Sequence, residues 1–191
     1  MQTNIIEDQT FTKITAESLT GKKNTFENCR FINCDFSYAD LSKQIFTDCQ
    51  FEGCNLSLVK LTETGLQDVR FKDCKLSGAD FSKSQDFLFA VSFESCILDN
   101  ATFYKKKNKG AKFLDCYMVE TDFTEADLTN ATFGNCNLNR AFFDRTILKN
   151  ADLSSSYNFI IDPDNNDIKK AKFSVQGLPG LLAKYGIVIR G

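Results

Sequence analysis

The stretch Phe26–Leu41, "FENCRFINCDFSYADL", places a bulky apolar residue at every fifth position: Phe26, Phe31, Phe36 and Leu41. A small residue (Cys29, Cys34, Ala39) stands two positions before each of the last three. Neither a helix nor a flat strand repeats every five residues. Taking each bulky residue as a centre, the period runs unbroken from Phe26 to Phe81, with Phe or Leu at all twelve centres. The frame then slips by two residues to Leu88 and resumes through Leu153, where Asn108 is the one polar centre among fourteen.

All eight Cys lie two residues before a centre, a position shared with Ala39, Ala79, Ala101, Ala111, Ala126, Ala131, Ala141 and Ala151. On extended backbone, residues two apart point the same way. The small residue and the centre therefore face inward, the residue between them faces out, and the remaining two turn a corner. Columns spaced by 20 residues fix the number of sides. Cys34, Cys54 and Cys74 are 20 apart, as are Cys96, Cys116 and Cys136, and the two sets are offset by the slip. Phe31, Phe51, Phe71, Phe93, Phe113 and Phe133 form a column that is Phe throughout. Four pentapeptides thus make one coil of an all-β, square, parallel β-solenoid. Between residues 26 and 157 about six coils at ~4.8 Å each give a rod of ~29 Å. Residues 1–25 read as an N-terminal cap.

Composition bounds the function. The chain has 191 residues, 23 Lys plus Arg, 25 Asp plus Glu, and no His or Trp. A net charge of −2 is not that of a basic nucleic-acid binder. No apolar run approaches the roughly 18 residues of a membrane span, and the polar N-terminus lacks a signal-peptide apolar core, so the chain reads as a cytoplasmic protein. In that compartment thiols stay reduced, and Cys packs as a small buried residue. A straight thiol ladder does not converge on a metal as zinc ligands do. Outward Asp40 and Asp80 read as corner hydrogen-bonding residues. There is no phosphate loop and no nucleophile–base pair, so no enzyme, cofactor or metal is expected.

Two stretches disturb the pattern. "SKSQDF", residues 82–87, holds the extra residues, and "YKKKNKG", residues 104–110, puts Lys106 and Asn108 at inward positions. Both fall on one wall and read as two neighbouring loops, giving Ser82, Lys83, Ser84, Gln85 and Asp86, with Tyr104, Lys105, Lys106, Lys107, Asn108 and Lys109, as candidate partner contacts. Residues 26–157 carry 19 acidic and 15 basic side chains; without the five lysines of 105–112 the basic count is 10. Acidic walls with one basic loop are expected, and those walls oppose direct nucleic-acid binding.

The tail, 158–191, changes character. After a turn at Asp162–Pro163 and a last irregular coil, Leu178, Leu181, Leu182 and Tyr185 fall on one face of a short helix. Gly186 can stop it, and Ile187–Ile189 reads as a strand. These apolar residues cap the core and could bury an exposed face in a two-fold homodimer.

"YADLS" (38–42), "GADFS" (78–82), "EADLT" (125–129) and "NADLS" (150–154) resemble the A(D/N)LXX motif of the pentapeptide-repeat family. The resemblance covers residues 26–157 and implies a right-handed quadrilateral β-helix. The ending "LLAKYGIVIRG" is similar to the C-termini of Qnr-type quinolone-resistance members, which dimerise through such a tail. That likeness implies a DNA-mimicking acidic rod that binds DNA gyrase or topoisomerase IV and protects it from quinolones. The alternative is a scaffold or adaptor for another protein.

Overall fold

The computed structural model describes residues 4–19 and 23–190. It contains β1 (Asn4–Glu7), β2 (Thr10–Thr12), β3 (Asn24–Glu27), β4 (Arg30–Ile32), β5 (Ile45–Thr47), β6 (Gln50–Glu52), β7 (Gly65–Gln67), β8 (Val69–Lys72), β9 (Val91–Glu94), β10 (Lys112–Leu114), β11 (Thr132–Gly134) and α1 (Leu178–Leu182). Every strand pairing is parallel: β1-β3-β5-β7 form one wall and β2-β4-β6-β8-β9-β10-β11 a second. Single bridges such as Asp35↔Asn55↔Lys75↔Ile97 and Asp80↔Thr102↔Asp122 complete the other two. The fold is the expected parallel β-solenoid, with a step of 20 residues per coil: Phe31 lies over Phe51 and Gln50 over Arg70.

The pentapeptide explains the shape. As a rule the two inward residues are buried, the one between them is not, and the residue two past the centre takes a positive φ, as at Asn28, Asn33, Asp48 and Gly53; after Phe81 a 3-10 turn, Phe81–Lys83, makes the corner instead. That left-handed residue is the corner. Asn, Asp and Gly adopt it at least cost.

The bore is filled. Phe11, Phe31, Phe51, Phe71, Phe93, Phe113 and Phe133 stack with ring centroids 4.6–5.4 Å apart and planes within 17° of parallel. Phe81, Phe103, Phe123 and Phe143 form a second stack at 4.6–5.3 Å. Rings of different columns meet edge to face, as Phe103 and Phe113 do at 5.8 Å and 85°. Both geometries suit the ring quadrupole. Cys34, Cys54, Cys74, Cys96, Cys116 and Cys136 line the same interior, and all eight Cys are buried and free. Their thiols donate to backbone carbonyls, Cys54 Sγ to Phe31 O at 3.2 Å and Cys136 Sγ to Phe113 O at 3.3 Å. Burial pushes the Cys49 thiol up to about 12.

The ladder extends past both expected boundaries. β1 and β2 pair with β3 and β4, so the described part of 1–25 is a coil of the same solenoid; residues 1–3 and 20–22 of that segment lie outside the described residues. At the other end Ile147↔Asp167 and Asp152↔Lys172 continue the bridges. The turn expected at Asp162–Pro163 is present, with Asn165 N donating to Asp162 O.

Candidate partner-binding surface

The outer walls follow from the same pentapeptide. Outward Asp and Asn side chains close the corners: Asp35 Oδ1 accepts from Ser37 N at 3.0 Å and Ser37 Oγ at 2.7 Å, Asp40 Oδ1 from Ser42 N at 2.9 Å, and Asp80 Oδ1 from Ser82 N at 3.0 Å. The serine hydrogen bonds hold the Asp35 and Asp40 carboxyls below the usual range. Asp40 and Asp80 therefore do the structural work expected of them. Ion pairs run between coils, including Lys72–Glu94 at 2.7 Å and Arg30–Glu52 at 3.2 Å. Both pairs are half exposed, where each contributes little.

The interruption of the repeat is a different environment. The sequence puts Leu88 at a centre, but Leu88 is 62% exposed and its φ of 53° is that of a corner residue. The five-residue frame in fact runs on from Phe81 to Asp86, so Phe87 and Leu88 form the next corner. The two surplus residues are Phe89 and Ala90. Phe89 folds inward, 6.5 Å from Phe81, while Ala90 is stitched into the ladder by Ala90 N to Leu66 O and Val69 N to Ala90 O, both 3.0 Å. The run "FLFAV" offers three adjacent apolar candidates for one inward slot, which is why the period alone misplaces it. Counting five from Phe81 would have flagged Leu88 as a corner.

The second expected loop is a regular coil. Lys107 bridges to Asp127 in the ladder, and Lys106 and Asn108 point inward and are buried. These two are therefore not surface contacts; Lys105, Lys107 and Lys109 are exposed. Asn108 replaces an apolar centre by using its amide as backbone does: Oδ1 accepts from Val91 N at 3.2 Å and Nδ2 donates to Val91 O at 3.1 Å. Lys106 is 1% exposed and is the one charged side chain buried among the described residues. Its ammonium donates to Ser84 O at 2.6 Å, Gln85 O at 3.4 Å and Asp86 Oδ1 at 2.8 Å, and lies 4.8 Å from the Phe89 ring centre. Desolvating an ammonium costs several kcal/mol, and these contacts offset that cost. The lysine cluster is also partly neutralised: Lys105 meets Glu125 at 3.5 Å and Lys109 meets Asp127 at 3.2 Å.

Of the expected contacts in the first stretch, Lys83 and Asp86 are exposed, Ser82 and Gln85 half-buried and Ser84 buried. The exposed tip is Phe87 and Leu88, which the polar reading of the two stretches did not single out.

At the C-terminal end α1 docks on the last coil through Ile161 N to Gly180 O at 3.1 Å. Lys184 pairs with Asp162 at 2.6 Å and with Asp164. Leu181 packs against the core and Leu182 is half-buried, whereas Leu178, Tyr185, Ile187 and Ile189 are exposed. Gly186, with a φ of 60°, ends the helical turns as expected. Ile187–Ile189 does not form the expected strand; its backbone pairs with no strand among the described residues.

Among the described residues no helix is long and apolar enough to cross a membrane. They contain no group of metal-ligating side chains.

The sequence signature described as the pentapeptide repeat region matches residues 24–85 and 87–157, parting at the interruption. No curated protein matches the chain in sequence. Among solved structures, a trypsin-treated form of QnrB1, described as a plasmid-mediated fluoroquinolone resistance protein, is similar over 100% of both chains at 19% identity, with a TM-score of 0.62. Full-length QnrB1 is similar over 96% of this chain and 100% of its own, also at 19% identity, with a TM-score of 0.56.

Proposed function

The chain belongs to the pentapeptide-repeat family, and on that premise we propose that it is a non-catalytic cytoplasmic protein that binds a type II topoisomerase, DNA gyrase or topoisomerase IV, and shields it from quinolones. The observation that carries this reading is the likeness to QnrB1 over the full length of both chains, tail included. The filled bore supports it, because rings and thiols occupy the interior and the outer walls are what remains to meet a partner. The contact elements are the interruption at 82–90 and the exposed lysines above it. We further assign the exposed apolar tail, Leu178, Tyr185, Ile187, Val188 and Ile189, to a homodimer contact.

The test is supercoiling by purified gyrase with a quinolone present. Added protein should raise the drug concentration needed for inhibition; no change at large molar excess defeats the reading. A second reading, a scaffold for another protein partner, is favoured by the net charge of −2 and the surface lysines, which depart from a uniformly acidic rod. Retention of gyrase and topoisomerase IV subunits by immobilised protein separates the two.

A further inference from the structure

The two disturbed stretches of the repeat form one device. Lys106 stands in an inward column that is polar below it, at Gln44, Thr64 and Ser84, and continues above it with Ala126 and Thr146. Its ammonium has three N–H donors, and they go to three consecutive residues, Ser84 O, Gln85 O and Asp86 Oδ1. Those residues are the way into the tip. On the way out, Phe89 lies against the same ammonium, Ala90 is held in the ladder, and the Asn108 amide grips both backbone groups of Val91. Asp86 occupies the frame position of a centre, yet its side chain is 88% exposed. The buried apolar side chain nearby is that of Phe89, whose ring meets Phe81 edge to face at 6.5 Å.

Between these two anchored ends stand Phe87, 70% exposed, and Leu88, 62% exposed. Exposed Lys83 lies in the turn that leads into this side, and exposed Lys105, Lys107 and Lys109 lie on the next coil, where Lys105 and Lys109 are paired with Glu125 and Asp127.

We propose that Lys106 is a positioning residue that, from inside the coil, holds Phe87 and Leu88 proud of the wall as an apolar anchor for a protein groove with an acidic rim. A tip tied at both ends loses little freedom on docking, so its apolar area converts efficiently into affinity. The lysines beside it select the charge of the rim. For the partner's identity this inference rests on the topoisomerase reading above.

The experiment compares full-length wild type with Lys106→Met, which keeps the stem without the ammonium, and with the double variant Phe87→Ser/Leu88→Ser, which alters exposed residues alone. Amide hydrogen exchange over 84–88 in Lys106→Met should rise about tenfold or more, with the β10–β11 ladder unchanged. Both variants should bind gyrase holoenzyme about tenfold or more weakly than wild type. Unchanged exchange in Lys106→Met overturns the clamp. Undiminished gyrase binding by the double variant overturns the anchor while leaving the topoisomerase reading intact. A wild type that does not bind gyrase overturns that reading and this anchor with it. Should Lys106→Met fail to fold, the double variant decides.

Discussion

At most corners of the coil one residue carries a backbone conformation that costs an ordinary side chain about 1–2 kcal/mol. Many of these positions hold Asn, Asp or Gly, but Tyr38, Leu58 and Leu88 adopt it too. For Tyr38 and Leu58 the ladder offsets the cost: Tyr38 N donates to Ser57 O and Leu58 N to Ser77 O, both at 2.9 Å. The outward Asp residues act on the same corners, and this gives a pH dependence. The serine hydrogen bonds hold the carboxyls of Asp35, Asp40 and Asp152 below their ordinary value. A depressed folded-state pKa contributes stability that is present above the unfolded value and lost as pH falls through the folded one. Urea midpoints should therefore be flat from neutrality to about pH 4 and fall below it. Asn makes the same turn, as Asn55 does with Ser57. The triple variant Asp35→Asn/Asp40→Asn/Asp152→Asn should keep its neutral-pH midpoint and show a shallower acid decline. An equally steep decline would place the acid sensitivity elsewhere. The effect is small, because these carboxylates are solvated.

The C-terminal cap shows how one element is fitted to the end of the rod. Gly180 lies so close to the last coil that an added Cβ would stand 2.2 Å from Phe159 O, and one on Gly177 would stand 2.6 Å from Phe159 Cζ. The first contact is with backbone, which cannot swing aside. Gly180→Ala should cost about 1–3 kcal/mol of docking and expose the tail to protease near Lys184 while β10 and β11 stay protected. Resistance equal to wild type would show that the cap relaxes around the methyl group. In the sequence this element was half visible. The spacing of Leu178, Leu181, Leu182 and Tyr185 marked helical turns, and the structure splits them between α1 and a 3-10 turn at Ala183–Tyr185. The strand expected at Ile187–Ile189 does not form, because strand pairing needs a partner that local sequence cannot supply.

As a whole the molecule is a stack in which each coil contacts its neighbours and both ends must be closed. The C-terminal end closes imperfectly: Val188 is 83% exposed, beside the exposed Ile187 and Ile189. On the dimer proposal, deleting residues 174–191 should convert a dimer into monomers or aggregates by light scattering, and an unchanged dimer would rule the tail out as the contact.

The amino-acid sequence alone carried the five-residue period, the 20-residue coil, the Phe and Cys columns and the corner role of Asp40 and Asp80, because a filled square bore demands one apolar centre per side and writes that demand along the chain. It did not carry the inner course of 84–91 or the burial of Lys106 and Asn108. Where Phe87, Leu88 and Phe89 are all apolar, the period cannot choose among them. A lysine at an inward position can be buried only if acceptors from another coil meet its ammonium, and that meeting was decided by the tertiary structure.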